Sequence, residues 1–142
     1  TMEQLQRLVA YADTIDLTKS DAMYVESFTK ALQAAKEAIK NDEFVKIAST
    51  VKYSTSFTRG KYTIVPTWTN GNQFINGNVS APTGINVICG KTGYTEAAGY
   101  CLVILSESQT TGHRFISVIL NAPSRDSLYN QMSYLLEKAA NQ

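Results

Sequence analysis

The chain has 142 residues, of which 44% are hydrophobic and 18% are charged, and this composition is typical of one globular domain rather than a disordered segment. The net charge of +1 gives no reason to expect a nucleic acid or an anionic membrane as the partner. No apolar run is long enough to span a bilayer, and no signal peptide is apparent, so an extracytoplasmic protein would have its targeting segment removed or outside this sequence.

The first forty residues predict two helices. Leu5, Leu8, Val9 and Ala12 repeat at helical spacing, and Thr18 with Asp21 forms a capping box for a second helix. The apolar stripe of that second helix consists of Tyr24, Phe28, Ala31, Leu32, Ala35 and Ile39. We expect a helical hairpin that ends near Asn41.

The chain from Asp42 onward predicts mainly strands. Segment 44–50 is compatible with a short helix or with the approach to a strand, whereas 51–57 and 61–69 are rich in β-branched and aromatic residues. The asparagine-rich stretch between the turn signals Asn70-Gly71 and Asn76-Gly77 is typical of a surface loop. Three apolar strands follow in 84–92, 99–108 and 114–122, and Ser124 is placed to cap a C-terminal helix.

These elements predict an α+β fold, in which short connections force the strands to pair antiparallel. We expect two parts: residues 1–41 form the helical hairpin, and residues 42–142 form the antiparallel sheet with the C-terminal helix packed on it. The near-continuous apolar runs at 102–105 and 116–120 indicate strands that are covered on both faces.

The two cysteines, Cys89 and Cys101, lie on consecutive predicted strands. They could form a disulfide if the strand register allowed it, or remain as free buried thiols. Their spacing fits no zinc motif, and the chain has one histidine, so we expect no metal ion and no cofactor. That histidine, His113, falls at a predicted hairpin tip.

The tripeptide Lys91-Thr92-Gly93 carries the clearest chemical signal, because a strand ending needs neither the lysine nor the threonine. A strand edge with these residues offers an ammonium and a hydroxyl to a substrate carboxylate. The glycine lets a substrate backbone approach the strand. The next backbone N–H, that of Tyr94, can serve as one donor of an oxyanion hole.

The longer pattern resembles a known family. The segment from Gly90 to Val103, followed by 114–125 and an amphipathic helix, is similar to the C-terminal part of serine-type D-alanyl-D-alanine carboxypeptidases, the low-molecular-mass penicillin-binding proteins with a β-lactamase/transpeptidase-like fold. Segments 31–54 and 69–75 resemble the family's approach to the Lys-Thr-Gly strand. The resemblance therefore extends from about Ala31 to the end.

The resemblance implies roles for five residues. Lys91 would join the hydrogen-bond network of the active site, Thr92 and Gly93 would bind the substrate with its terminal carboxylate, and the Tyr94 amide would contribute to the oxyanion hole. Arg125 matches an arginine that some members place near the substrate carboxylate, although it could equally be a solvated residue in the first turn of a helix.

The nucleophile that the family uses is not evident. Its serine needs a nearby lysine as base, which is the reason for the Ser-x-x-Lys spacing. Ser27-Phe28-Thr29-Lys30 has this spacing, but Lys30 falls nearly opposite the apolar stripe and is expected to be solvated. A Ser-x-Asn motif is absent from the sequence.

Two functions follow from these observations. In the first, the chain is part of an extracytoplasmic, cell-wall or membrane-associated carboxypeptidase of a Gram-positive cell. It would act on D-Ala-D-Ala stem peptides of peptidoglycan, bind β-lactams, and be inactive alone until a second chain or a missing N-terminal segment supplied the serine. In the second, it is a non-catalytic peptide- or wall-binding module, because residues 5–39 also resemble short helical repeats of Gram-positive surface proteins.

Overall fold

The computed structural model describes residues 26, 29–30, 33–34 and 36–140. The predicted first helix, the capping box at Thr18 and Asp21 and most of the second apolar stripe lie outside these residues. The described positions from 26 to 38 are helical, and the chain turns at residues 39–40, which confirms the predicted end near Asn41. The division of the chain at residues 41 and 42 stays a prediction.

The ambiguous segment after Asn41 is a helix, α1 (Asp42–Ser49). Asn41 caps it, because its side-chain oxygen accepts a hydrogen bond from the Phe44 amide at 3.1 Å. Thr50 is the C-cap of the helix, and its hydroxyl donates to the Lys46 carbonyl at 2.7 Å. Helix α1 packs against the strand that carries Lys91.

The next segment forms four short strands, β1 (Lys52–Ser54), β2 (Phe57–Arg59), β3 (Tyr62–Ile64) and β4 (Thr67–Thr69). Strand β1 pairs with β4, and β2 pairs with β3, both antiparallel. The strands predicted at 51–57 and 61–69 are therefore present, but each is interrupted once. Pro66 lies at the interruption, where its missing N–H removes a ladder hydrogen bond.

The predicted surface loop after Asn70 is wrong. Residues Gln73–Asn76 form one helical turn, α2, with Asn72 as its N-cap and Gly77 in the left-handed conformation at φ 84° as its C-cap. Asn72 is only 1% exposed. The asparagines of this stretch cap a helical turn and are not simply solvated, because a short side-chain amide can form hydrogen bonds with nearby backbone groups.

Three long strands form the main sheet, in the order β5 (Ile85–Thr95), β6 (Gly99–Ser108) and β7 (Arg114–Ala122). All pairs are antiparallel, which confirms the predicted strands and connections. Central strand β6 is buried on both faces, by Leu102 and Ile104 on one side and Leu105 on the other.

The C-terminal helix, α3 (Arg125–Ala140), covers one face of this sheet. Ser124 caps it as predicted, since its hydroxyl accepts from the Ser127 amide at 3.1 Å. The hydrophobic core lies between α3 and this face of β5, β6 and β7 and contains Ile85, Leu102, Ile104, Ala122, Leu128, Tyr129, Met132, Leu136 and Ala139.

Candidate active site

Lys91, Thr92 and Gly93 lie on β5, which is an outer strand of the three-stranded sheet. In the part of the chain that the structure describes, residues 91–95 make backbone hydrogen bonds to β6 alone. The outer backbone groups of this segment therefore have no backbone partner among the described residues.

Side-chain alternation separates the three residues. Thr92 lies opposite Leu102 on the face that α3 covers, and Lys91 and Gly93 lie on the other face. Lys91 is exposed, and its ammonium donates to the carbonyl oxygen of Thr92, so the lysine side chain follows the strand toward the threonine. A cation and a hydroxyl are thus presented along the same stretch of β5.

The Thr92 hydroxyl is half-buried beside the segment that precedes α2. A Cβ atom added to Gly71 would lie 3.6 Å from Thr92 Oγ1. The hydroxyl makes no hydrogen bond to any described residue. It is therefore available both as donor and as acceptor to a bound ligand.

Gly90 allows the close approach of this segment to β5. A Cβ atom on Gly90 would lie 2.5 Å from the Val103 carbonyl oxygen and 2.7 Å from Asn72 Nδ2. Asn72 Nδ2 is buried and has no hydrogen-bond partner within the described chain. Ile104 Cδ1 would lie at 2.7 Å as well, so three atoms leave no room for a side chain immediately before Lys91.

Asn70 ties the same segment to its surroundings. Its amide nitrogen donates to the carbonyl oxygens of Ala48 at 3.1 Å and Thr50 at 3.0 Å, and its oxygen accepts from the Asn72 backbone at 3.0 Å. Asn70 and Asn72 belong to segment 69–75, which resembles the approach to the Lys-Thr-Gly strand, but the sequence pattern assigned them to a surface loop and gave them no supporting role. The preference of asparagine for N-caps is the signal that could have found them.

Tyr94 and Arg125 lie at the same end of the sheet. The Tyr94 ring is 58% exposed and packs on Tyr100 of β6, with ring centroids 4.5 Å apart. Strand β7 ends at Ala122 opposite Tyr100, and exposed Arg125 begins α3 just beyond. The roles of the Tyr94 amide and of Arg125 stay predictions.

The structure does not bring a serine and a lysine together at this strand within the described residues. Ser27 lies outside them. Lys30 is 76% exposed and forms a 2.6 Å ion pair with Glu26, one helical turn away. Its ammonium is thus engaged by a carboxylate in solvent and not held in a desolvated site beside a nucleophile.

The sequence holds a second Ser-x-x-Lys spacing, Ser49-Thr50-Val51-Lys52, beyond the one considered above. Ser49 ends α1, and its hydroxyl donates to the Lys46 carbonyl at 3.2 Å. Lys52 begins β1 and is exposed. Because a helix end separates the two residues, they lack the arrangement that one helical turn gives to a serine and its base.

Cys89 and Cys101 are free thiols. Cys89 pairs with Leu105 and Cys101 pairs with Gly93, so the cysteines are four residues apart along the ladder, about 13 Å, which is too far for a disulfide. Burial raises the pKa of the Cys89 thiol.

No group of three or more His, Cys, Asp or Glu residues in the described chain could hold a metal ion. Among the described helices, none is long and apolar enough to cross a membrane.

Comparison with known proteins identifies a family and a similar fold. A profile of the D-alanyl-D-alanine carboxypeptidase family matches residues 14–124, most of the chain. The fold is similar to the crystal structure of D-alanyl-D-alanine carboxypeptidase from Mycobacterium tuberculosis H37Rv, with a TM-score of 0.56 at 20% sequence identity. That similarity covers 75% of this chain and 37% of the mycobacterial chain, so this sequence spans less than half of that protein. No curated protein matches the chain.

Proposed function

Because the chain belongs to the D-alanyl-D-alanine carboxypeptidase family, we propose that β5 binds the D-alanyl-D-alanine end of a peptidoglycan stem peptide, or a β-lactam in its place. One observation carries the proposal: Lys91-Thr92-Gly93 lies on an outer strand whose free edge has no backbone partner among the described residues. An extended peptide can add to such an edge through main-chain hydrogen bonds.

Each residue of this edge contacts a different part of the ligand. The Lys91 ammonium and the Thr92 hydroxyl, which has no other hydrogen bond in the described chain, receive the terminal carboxylate of the ligand. Gly93 leaves room for the ligand backbone. The Tyr94 amide donates to the carbonyl oxygen on which negative charge develops, and Arg125 adds positive charge at the same end of the sheet.

The reaction of the complete site is acyl transfer. A serine oxygen attacks the carbonyl carbon of the penultimate D-alanine, the terminal D-alanine leaves with the proton that the serine gave up, and water then hydrolyses the acyl-enzyme ester. We infer that this serine comes from a second chain or from a segment outside the described residues. Lys30 and Lys52, the lysines of the two Ser-x-x-Lys spacings, are both exposed, and Lys30 pairs with Glu26.

The same observation favours a second candidate function, a non-catalytic module that binds stem peptides at β5 and performs no acyl transfer. For both functions we infer a location outside the cytoplasm, at the cell wall or membrane, because the peptide ligand is found there; the inference of a Gram-positive cell rests on the likeness of residues 5–39 to helical repeats of surface proteins. The two differ in whether a serine ever reaches the β5 edge.

Titration of the ¹⁵N-labelled chain with a peptide ending in D-Ala-D-Ala tests the binding proposal. We expect amide resonances of residues 91–95 to shift, and the same peptide with a C-terminal carboxamide to cause much smaller shifts, since it lacks the charge that Lys91 and Thr92 bind. Thr92→Val, which keeps the shape but removes the hydroxyl, should weaken binding about tenfold. Equal shifts with both peptides, or none with either, would refute the proposal.

A further inference from the structure

The chain from Lys52 to Thr69 forms one β-hairpin, interrupted at residues 55–56 and 65–66, whose strands do not pair with the main sheet. The β1–β4 and β2–β3 pairs share one register, since Lys52 faces Thr69 and Arg59 faces Tyr62 with no residue inserted between the two ladders. Gly60, at φ 62°, makes the turn. All four strands are exposed along their full length, and each pairs only within the hairpin among the described strands.

The shared register gives the hairpin two chemically different faces. One face, which we call the aromatic face, carries Tyr53, Thr55, Phe57, Arg59, Tyr62, Ile64, Pro66 and Trp68. The opposite face carries Lys52, Ser54, Ser56, Thr58, Thr63, Val65, Thr67 and Thr69. No described residue covers the aromatic face. A hairpin that is solvated on both faces has no need to collect its aromatic side chains on one of them.

The side chains of the aromatic face are exposed despite their size. Tyr53 is 59% exposed, Tyr62 66% and Trp68 52%. Tyr53 and Trp68 stack nearly parallel, with ring centroids 6.3 Å apart. Exposed aromatic side chains grouped on one surface mark an interaction site rather than a solvated one.

The charge around the hairpin has one sign. Residues 44–95 contain five basic residues and no aspartate or glutamate, which the net charge of +1 for the whole chain conceals. Arg59 faces Tyr62 across the tip, and the Lys61 ammonium lies 5.5 Å from the centre of the Tyr62 ring. Both cations thus lie beside the aromatic face at its outer end.

We propose that the aromatic face of this hairpin docks flat on the surface of an anionic lipid bilayer. Tyrosine and tryptophan favour the boundary between headgroups and acyl chains, and nearby arginine and lysine attract anionic headgroups. The hydroxyl-rich opposite face would remain in water, as on an amphipathic interfacial segment. The inference is independent of the proposed function, since it involves no residue of the β5 edge.

A neutral glycan strand could also stack on the rings. It carries no negative charge, however, so it would not pair with the basic residues of the hairpin. Charge complementarity therefore favours the bilayer. The glycan is a competing outcome of the test.

Trp68 is the single tryptophan of the chain, so its fluorescence reports on this face alone. Mixing the chain with vesicles of phosphatidylcholine and phosphatidylglycerol should shift the emission to shorter wavelength, protect Trp68 from acrylamide and make it quenchable by brominated lipid. Vesicles of phosphatidylcholine alone should give little response. No change with anionic vesicles would overturn the proposal, and so would a response to insoluble peptidoglycan alone.

Three variants locate the contact. Arg59→Gln with Lys61→Gln should lower the partition coefficient onto anionic vesicles about 30-fold. Phe57→Ser with Tyr62→Ser should reduce binding at least as much, by removing two apolar anchors. Val65→Ser is the matched control, because Val65 is as exposed as Tyr62, at 66%, but lies on the opposite face. Equal losses in all three variants would show that the aromatic face is not the docking surface.

Discussion

Gly90 has no room for a side chain, although it lies one residue before the Lys-Thr-Gly tripeptide and outside it. A Cβ atom at this position would lie closest to a backbone carbonyl of the paired strand and to the buried amide of Asn72. The sequence shows the glycine but not this reason, since Asn72 is far away along the chain. The strand edge that carries Lys91 is thus positioned by a contact that only the fold creates.

Gly90→Ala should destabilise the protein by at least about 2 kcal/mol, because the Val103 carbonyl is part of the ladder and cannot move away. Gly93→Ala, three residues along the same strand, should leave stability within about 1 kcal/mol, since its Cβ would lie 3.9 Å from Cys101 Cβ. Urea unfolding of both variants measures the difference. Similar midpoints would contradict the packing described for Gly90.

Cys89 should titrate as a buried thiol. Its raised pKa means that, as pH rises above about 8.5, the unfolded chain loses the thiol proton while the folded chain keeps it, so stability falls with pH. Urea unfolding at about pH 7 and about pH 9.5 gives the free energy of unfolding of the chain and of Cys89→Ala. The free energy of the chain relative to the variant should be lower at the higher pH. An unchanged or increased difference would show that Cys89 is not buried as described.

Helix α3 does more than close the core, because it also holds the segment that supports the β5 edge. The Tyr129 hydroxyl accepts a hydrogen bond from the Gln73 amide at 2.9 Å, and the Tyr129 ring meets Phe74 edge-on at 5.4 Å. Since Asn72 and Gln73 are adjacent, α3 fixes the residue that contacts Gly90. The helix therefore connects the core to the candidate site.

Tyr129→Phe should cost about 1 to 2 kcal/mol, because it leaves the Gln73 N–H without its partner while the ring packing is kept. Tyr134→Phe on the same helix is the control, since Tyr134 is 61% exposed, and it should have no measurable effect. Thermal unfolding compares the two. If Tyr129→Phe is as stable as the control, the hydrogen bond to α2 contributes nothing to the fold.

The long elements could be predicted from sequence, and the short ones could not. Strands β5 to β7 and helix α3 have apolar periodicities that local preference and burial both favour, so the sequence predicts their positions. The hairpin is predicted as two strands, but its interruption at Pro66 and its exposed aromatic face depend on what the rest of the molecule leaves uncovered. The buried turn at Asn72 was missed because asparagine is usually assigned to loops.

The described part of the molecule presents Lys91-Thr92-Gly93 on an outer strand of a carboxypeptidase-like fold, with no evident nucleophile beside it. Lys91-Thr92-Gly93 could be identified from sequence because three residue types with complementary chemistry are consecutive. Asn70, Asn72 and Gly90 could not, because they approach the tripeptide only through tertiary packing. A catalytic serine and its base must likewise be brought together by the fold, and the spacing of Ser49 and Lys52 shows that the motif alone does not do this.

The central claim is that this chain binds the ligand at β5 but does not itself carry out acyl transfer. Intact-mass measurement of the folded chain after incubation with a fluorescent penicillin tests it most directly, with an active carboxypeptidase of the family as the positive control. We predict an unchanged mass for this chain while the control gains the penicilloyl group. A stoichiometric adduct, mapped by digestion to Ser27, Ser49 or any other serine, would contradict the account, because it would show that the chain activates a nucleophile of its own.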